Sequence, residues 1–343
     1  MIAIIEQGMI MGIMALGVFL SFRVLNMPDL TVDGSFALGG AVSVSLLIGG
    51  TPAITALLSG AIFGGLAGMI TALIHRKLKV NSLLAGILVM TMIYSVNLRI
   101  MNGPNLPIPS INTTNTMKSY EEMTGADPLA GLFGDTSNTE KAIKSSEVSK
   151  NNNSSKNIFI NDGSSGNLNI LLVFTLVVVI LLSIFLRTDL GMVMRGFGSN
   201  PDGVESFGVP KTFIAVLGLV IANALVGLSG GLFALYSGFS DVTMGQGMIV
   251  TGLAIVMLGE IVSGRRKILF GLIAPVLGAV IYQAILALVM RYGYRIGFRS
   301  SDMKLLTALF IVGMIGVSLL SKKRKTTFKL EVRRLWSNSK TSV

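Results

Sequence analysis

The sequence predicts an all-α polytopic membrane protein, and three observations carry that prediction. Hydrophobic residues make up 51% of the chain and charged residues 13%, with a mean hydropathy of +0.72; an average soluble domain carries about 25% charged residues. Several uncharged runs reach or approach the roughly 20 apolar residues that span a bilayer. The cations cluster at the ends of those runs, the positive-inside pattern, so the net charge of +11 reports membrane orientation and not a nucleic-acid partner. The 40 glycines suit close helix packing. Residues 1–20 lack the basic start of a cleavable signal and are read as a first span. With no cysteine, disulfides, thiolate metal sites and thiol nucleophiles are excluded.

The elements follow in order. The first span covers residues 2–22. Residues 25–36, LNMPDLTVDGSF, combine two acids, a proline and a glycine at the edge of apolar sequence, which predicts irregular backbone covered by protein or lining a wet cavity. The second span, 36–48, is short, so it is tilted, broken or begun earlier. A third covers 53–74, with Gly60, Gly64 and Gly68 on one close-packing face. His75, Arg76, Lys77 and Lys79 put its end in the cytoplasm. A fourth covers 80–101 and contains Asn81, Asn97 and Arg99. Residues 102–167 are rich in Ser, Asn, Thr and Gly and read as a flexible extracellular loop; its start, 103–109, is stiffer and rests on the membrane face. The fifth span is 168–186. The sixth, 212–237, contains Asn223 and carries Gly227, Gly230 and Gly231 toward its outer end. A seventh covers 248–262, closed by Arg265, Arg266 and Lys267, and an eighth covers 268–290. The loop 291–299 is basic yet extracellular by parity, which strains the positive-inside rule. A ninth covers 305–320, and Lys322, Lys323, Arg324 and Lys325 close it on the inside. Nine spans place the N-terminus outside and the C-terminus inside; eight or ten result if 25–36 and 241–264 are half-helices. In the basic tail, Phe328, Val332, Leu335 and Trp336 have the spacing of an amphipathic helix attracted to anionic membrane lipid; a disordered tail accounts for the same residues.

Between the fifth and sixth spans lies a polar, glycine-rich interruption, 187–211, with the signals of a short surface helix. Ser199 or Asn200 can cap its start, and Pro201 suits the first helical position. Asp202 and Glu205 sit where the helix dipole favours acids. Gly208 offers a stop that Pro210 reinforces. A helix this short is marginal alone, so it reads as a knob held between membrane helices and presented to something. An ordinary cytoplasmic loop explains the same residues.

Residues 29–42, DLTVDGSFALGGAV, align with 241–254, DVTMGQGMIVTGLA. Five spans separate them, so the copies run in opposite directions. That is the signature of an inverted-topology repeat, with spans one to four answering six to nine; chance is the rival explanation. The chain divides into a first membrane repeat (1–101), a polar loop (102–167), a central span (168–186), the cytoplasmic segment (187–211), a second repeat (212–321) and a basic tail (322–343).

Absences narrow the function. No GxxxxGK[ST], HExxH, GxSxG, Arg-rich voltage sensor or TVGYG-like filter occurs, so an enzyme and a self-sufficient ATP machine are disfavoured. The buried polar candidates are Asp29, Asp33, Asn97, Asn223, Glu260 and Gln283, since an ionisable or polar group at membrane depth is by default functional. Each has a structural alternative. Glu260 can pair with Arg265 and Arg266, Asn223 can bond between helices, and Asp29 and Asp33 can cap the helix starting near Gly34.

The order of RTDLGMVMRGFGSNPDGVESFGV (187–209), then ALVGLSGGLFALYSG, then GLAIVMLGEIVSG resembles the permeases of bacterial ABC importers in the branched-chain amino acid and ribose group. With DLTVDGSFALGGAV and NGPNLPI in the first half, the chain is most similar to permeases associated with aromatic amino acid (tryptophan or tyrosine) uptake. The resemblance implies a vitamin B12-importer-like fold in the bacterial plasma membrane. It implies that Ser199, Asn200, Pro201, Asp202, Gly203, Glu205 and Gly208 belong to a coupling helix that docks on a separate ABC ATPase. Gly203 is expected on the tightly packed side of that contact, with Asp202 and Glu205 as its polar contacts. It implies a second permease copy or paralogue, and an extracellular substrate-binding lipoprotein. ATP and magnesium would sit on the partner ATPase; this chain is expected to bind no cofactor or metal. Asp29, Asp33, Asn97 and Asn223 are the translocation-path candidates. The chain departs from the pattern where Gly203 and Val204 replace Ala-Ala, and in its long outer loop. The function implied is alternating access for a small polar solute, an amino acid leaning aromatic. A stand-alone secondary transporter or channel is the alternative, and a structural scaffold explains neither the repeat nor the broken helices.

Overall fold

The computed structural model describes residues 2–108, 164–263 and 268–293, with scattered positions between 305 and 313. Ten α-helices, one π-helical turn and two short strands occur in that part: α1 (Ile2–Phe19), the π-helical turn (Leu20–Val24), α2 (Thr31–Ile48), α3 (Ala53–Lys77), α4 (Ser82–Met101), β1 (Asn105–Pro107), α5 (Ser164–Arg187), α6 (Asp189–Ser199), α7 (Pro201–Ser206), α8 (Lys211–Ser237), β2 (Phe239–Asp241), α9 (Met248–Ser263) and α10 (Ile268–Gly293). The protein is an all-α polytopic membrane protein. Among the described residues, seven helices are long and apolar enough to cross a membrane, and α9 is a shorter apolar helix. The second span begins at Thr31 and not at Phe36. Most of the ninth expected span (305–320), the basic segments 264–267 and 294–299, most of the long loop (109–163) and the tail with Phe328 and Trp336 lie outside the described residues.

Helix α8 is the axis of the bundle. It packs on α3 and α2 through glycines, so backbone meets backbone. A Cβ on Gly39 of α2 would stand 2.0 Å from the Gly227 carbonyl oxygen of α8, and one on Gly227 would stand 2.5 Å from the Gly60 carbonyl oxygen of α3. The expected face of Gly60, Gly64 and Gly68 is that contact: added Cβ atoms would meet Gly39 and Ser43, Asn223 and Gly227, and Leu219 respectively. Without a hydrophobic driving force in lipid, such close packing is what holds helices together. Ile10, Ile13, Leu16, Leu219 and Ala222 build one core between α1 and α8, and Met14, Val18, Ile255 and Ala279 build a second among α1, α9 and α10. Helices α4 and α5 are peripheral and turn Leu84, Ile87, Met92, Val173, Leu181 and Ile184 outward, as lipid contact requires.

The two ends of the bundle differ. At one end β1 pairs antiparallel with β2, Asn105 opposite Asp241, so the stiff start of the loop is a strand. Ile108 N donates to Gly238 O at 2.8 Å and Val242 N to Pro104 O at 3.0 Å, extending the ribbon. At the other end α6 and α7 form an elbow between α5 and α8.

Candidate functional site: a buried polar junction and a capped elbow

The segment between the π-helical turn and α2 brings Asp29 into the middle of the bundle, fully buried beside Asn223, which is midway along α8. One Asp29 oxygen accepts from Thr31 N at 2.9 Å, capping α2; the other accepts from Asn223 Nδ2 at 2.6 Å. The same Nδ2 donates to Leu219 O at 3.0 Å, and Asn223 Oδ1 accepts from Ser35 Oγ at 2.8 Å. Thr31 and Thr71 join through their hydroxyls at 2.6 Å, and Thr71 also donates to Ala67 O at 3.2 Å. Asp29, Thr31, Ser35, Thr71 and Asn223 thus form one satisfied network through α2, α3 and α8. Asp29 caps the helix as the sequence allows, and Asn223 bonds between helices. The network as a whole was not legible, because its members are brought together from positions 194 residues apart.

Asp33 does something else. It sits in the first turn of α2 but caps α9, accepting from Gly247 N at 2.9 Å and Ile249 N at 2.8 Å. Helix α9 therefore starts inside the bundle. Its 16 residues, about 24 Å at 1.5 Å per residue, run from that depth to the elbow end. There Glu260 ion-pairs with Arg23 of the π-helical turn; its expected partners Arg265 and Arg266 lie outside the described residues. The two similar stretches share a local turn: Asp241 Oδ1 accepts from Thr243 N at 2.6 Å, as Asp29 does from Thr31.

Beside Asp33, a cleft of about 170 Å³ opens between α2 and α4. Asp33, Thr91, Tyr94, Asn97 and Gln246 give it polar groups. Asn97 is 1% exposed, and its Oδ1 has no hydrogen-bond partner in the protein. Gln283 is half-buried on α10 and does not line the cleft.

The elbow is built from local signals. Thr188 caps α6, accepting from Gly191 N at 3.4 Å. Asn200, and not Ser199, caps α7: its Oδ1 accepts from Gly203 N at 3.1 Å, and Pro201 is the first helical residue. Ser199 instead donates back to Arg195 O at 3.3 Å. Gly208 ends the helix at φ +82°, a conformation that costs a glycine nothing. Lys211 clamps the far side, reaching Asp202 at 2.7 Å and Glu205 at 2.5 Å. That contact holds the exposed Asp202 carboxyl below the usual carboxylate range. Val204 is the buried residue of α7, whereas Phe207 at its end is 88% exposed. A Cβ on Gly203 would meet the side chain of its own cap, Asn200, at 3.1 Å. Helix α6 was missed from sequence because its glycines read as loop. Its buried residues Gly191, Met194 and Phe197 recur every three positions, and that was the available signal. The elbow also touches the junction's lead-in: a Cβ on Gly198 would stand 2.0 Å from the Val24 carbonyl oxygen.

Residues 1–317 match the family described as branched-chain amino acid transport system, permease component. The chain is 32% identical over 330 residues, 96% of its length and 95% of the other, to a tyrosine transport system permease protein of Clostridioides difficile (strain R20291). It is 32% identical over 260 residues, 76% of each chain, to an uncharacterized protein of Rickettsia prowazekii (strain Madrid E). Over 102 residues, 29% of this chain and 28% of the other, it is 30% identical to a nucleoside ABC transporter permease protein of Lactococcus lactis subsp. cremoris (strain MG1363). No solved structure matches it.

Proposed function

Because the chain belongs to the branched-chain amino acid transport permease family, we propose that it is the membrane subunit of an ABC importer, driven by a separate ATPase and carrying an amino acid with an aromatic side chain. The observation that carries this reading is the seat of the elbow. Gly198 lies against the Val24 backbone too closely for any side chain, five residues before Asp29. A push on the elbow is therefore delivered to the segment that enters the polar junction, and not absorbed in a loop. The exposed Phe207 supports a docking contact, since a large aromatic at the tip of a fixed knob suits an apolar groove on a partner. Asp202 and Glu205 are engaged by Lys211, so they act as the clamp of the knob, with Phe207 as its tip.

In this reading the elbow end is cytoplasmic, where the ATPase holds ATP and magnesium, and a binding lipoprotein delivers cargo at the ribbon end. The paired Asp-x-Thr turns and the half-span α9 support an inverted repeat. Ser95 and Arg99, exposed on α4, are costly against lipid, which supports a second copy or paralogue beside that helix. Transport is alternating access: ATPase closure moves the elbow, the junction rocks, and the path opens to one side at a time.

The test is reconstitution in proteoliposomes with the ATPase and binding protein that co-purify with it. ATP-dependent accumulation of labelled L-tyrosine is expected. Phe207→Asp should lower uptake and ATPase association at least about tenfold, the loss of a contact of about 1.4 kcal/mol, with unchanged thermal stability. Uptake driven by an ion gradient without the ATPase, and indifferent to Phe207→Asp, would sink this reading in favour of a stand-alone transporter.

A further inference from the structure

The cleft between α2 and α4 is one-sided in charge. Asn97 Oδ1 is buried without a protein partner, as Arg76 Nε and Thr175 Oγ1 also are among the described residues, but of the three residues it is Asn97 that lines the cleft; such an atom calls for an explanation. The Asp33 carboxylate accepts Gly247 N–H on one oxygen and Ile249 N–H on the other, with the Met248 N–H also acting on it; a carboxylate has about four acceptor sites, so it keeps room for a further donor. No lysine or arginine is among the lining residues, so Asp33 leaves the cleft one negative charge. Donors line it as well, the Tyr94 hydroxyl and the Gln246 and Asn97 amides, while the Thr91 hydroxyl donates to Leu88 O at 2.8 Å. Met90 and Val242 supply apolar wall, and the Tyr94 ring supplies an aromatic one.

We propose that this cleft is a subsite for the ammonium group of a primary amine, with Asn97 Oδ1 and the Asp33 carboxylate accepting its N–H groups and the apolar wall taking the body of the molecule. The inference rests on the permease reading and deepens it: the cargo is selected inside the membrane by its ammonium end. An ammonium carries three donors and no acceptor, the complement of what Asn97 and Asp33 offer. A carboxylate would meet Asp33 as a like charge and find no cation.

The absence of cysteine makes the test direct, because Thr91→Cys is then the chain's sole thiol and lines the cleft. The full chain, in nanodiscs, is treated with a methanethiosulfonate carrying an ammonium head or one carrying a sulfonate head. Each rate is normalised to a free thiol. The ammonium reagent should react at least about tenfold faster, as a single buried charge dictates. Tyramine should slow the reaction, and 3-(4-hydroxyphenyl)propionate, with the same ring but a carboxylate, should not. Adding Asn97→Leu should leave the protein at least as resistant to heat, since an unpartnered oxygen is removed, yet abolish protection by tyramine. A purely structural Asn97 would leave that protection intact, which overturns the proposal. So do equal rates for the two reagents, no reaction with either, or protection by sodium ion as strong as by tyramine. None of these readouts uses ATP or uptake. Failure of the cleft and failure of the ATPase reading are therefore seen separately.

Discussion

The polar junction and the elbow are both polar islands in an apolar chain, and they are built on opposite plans. In the junction, Asp29 and Asn223 are fully buried and come from positions 194 residues apart. In the elbow, the bonds span short stretches: Asn200 to Gly203, Thr188 to Gly191, Lys211 to Asp202. The elbow is thus a self-contained part in contact with water. The junction exists only when α2, α3 and α8 are already assembled. Polar groups in the first case shape one segment; in the second they specify how three helices meet.

Three perturbations sharpen that contrast. The largest effect is expected from Asn223→Leu. It removes the donor to Asp29 and leaves a carboxylate oxygen buried and unpaired, a loss of about 2–3 kcal/mol. Thermal unfolding in detergent should show a single, strongly lowered transition of the whole bundle; an unchanged midpoint would mean that the network does not hold the helices. Next comes Asn200→Ala, which removes a helix cap worth about 1 kcal/mol. That loss should stay local: proteolysis within 198–208 should accelerate while the global midpoint stays put. A global shift would erase the distinction between the two regions. The smallest effect is pH-dependent. Because Asp202 is held below its ordinary value by Lys211, its contribution is complete above the unfolded carboxylate pKa and fades as pH falls through the lower folded value. Elbow protection against proteases should therefore be flat through neutral pH and decline only in acid. A decline near pH 7 would point to another group.

What was legible in the sequence follows the same division. Asn200, Pro201 and Gly208 announce α7 because capping is a matter of adjacent residues, and Gly60, Gly64 and Gly68 announce a packing face because their spacing is helical. Thr188 and α6 were obscured by glycines of low helix propensity, which tertiary packing of Met194 and Phe197 overrides. The role of Asp33 was out of reach. Its position in a first turn reads as a cap for its own helix, whereas its carboxylate serves a helix 214 residues later. The cleft was hidden for the same reason. Asn97 stood out as a polar residue in a span, but the gap beside it depends on how α4 lies against α2 and the turn before α9.

The ribbon at the far end carries a mechanical consequence. Strand β1 continues from α4 and β2 from α8, and backbone hydrogen bonds lace them together. At the opposite end, Arg23 and Glu260 tie the π-helical turn to α9 through side chains. Main-chain lacing keeps two plates in register while letting them swivel, whereas a side-chain clasp can part and re-form. Under the proposed alternating access the molecule would work as a pair of tongs, with the ribbon as the pivot, the clasp at the jaws, and the elbow as the handle pressed against the same end.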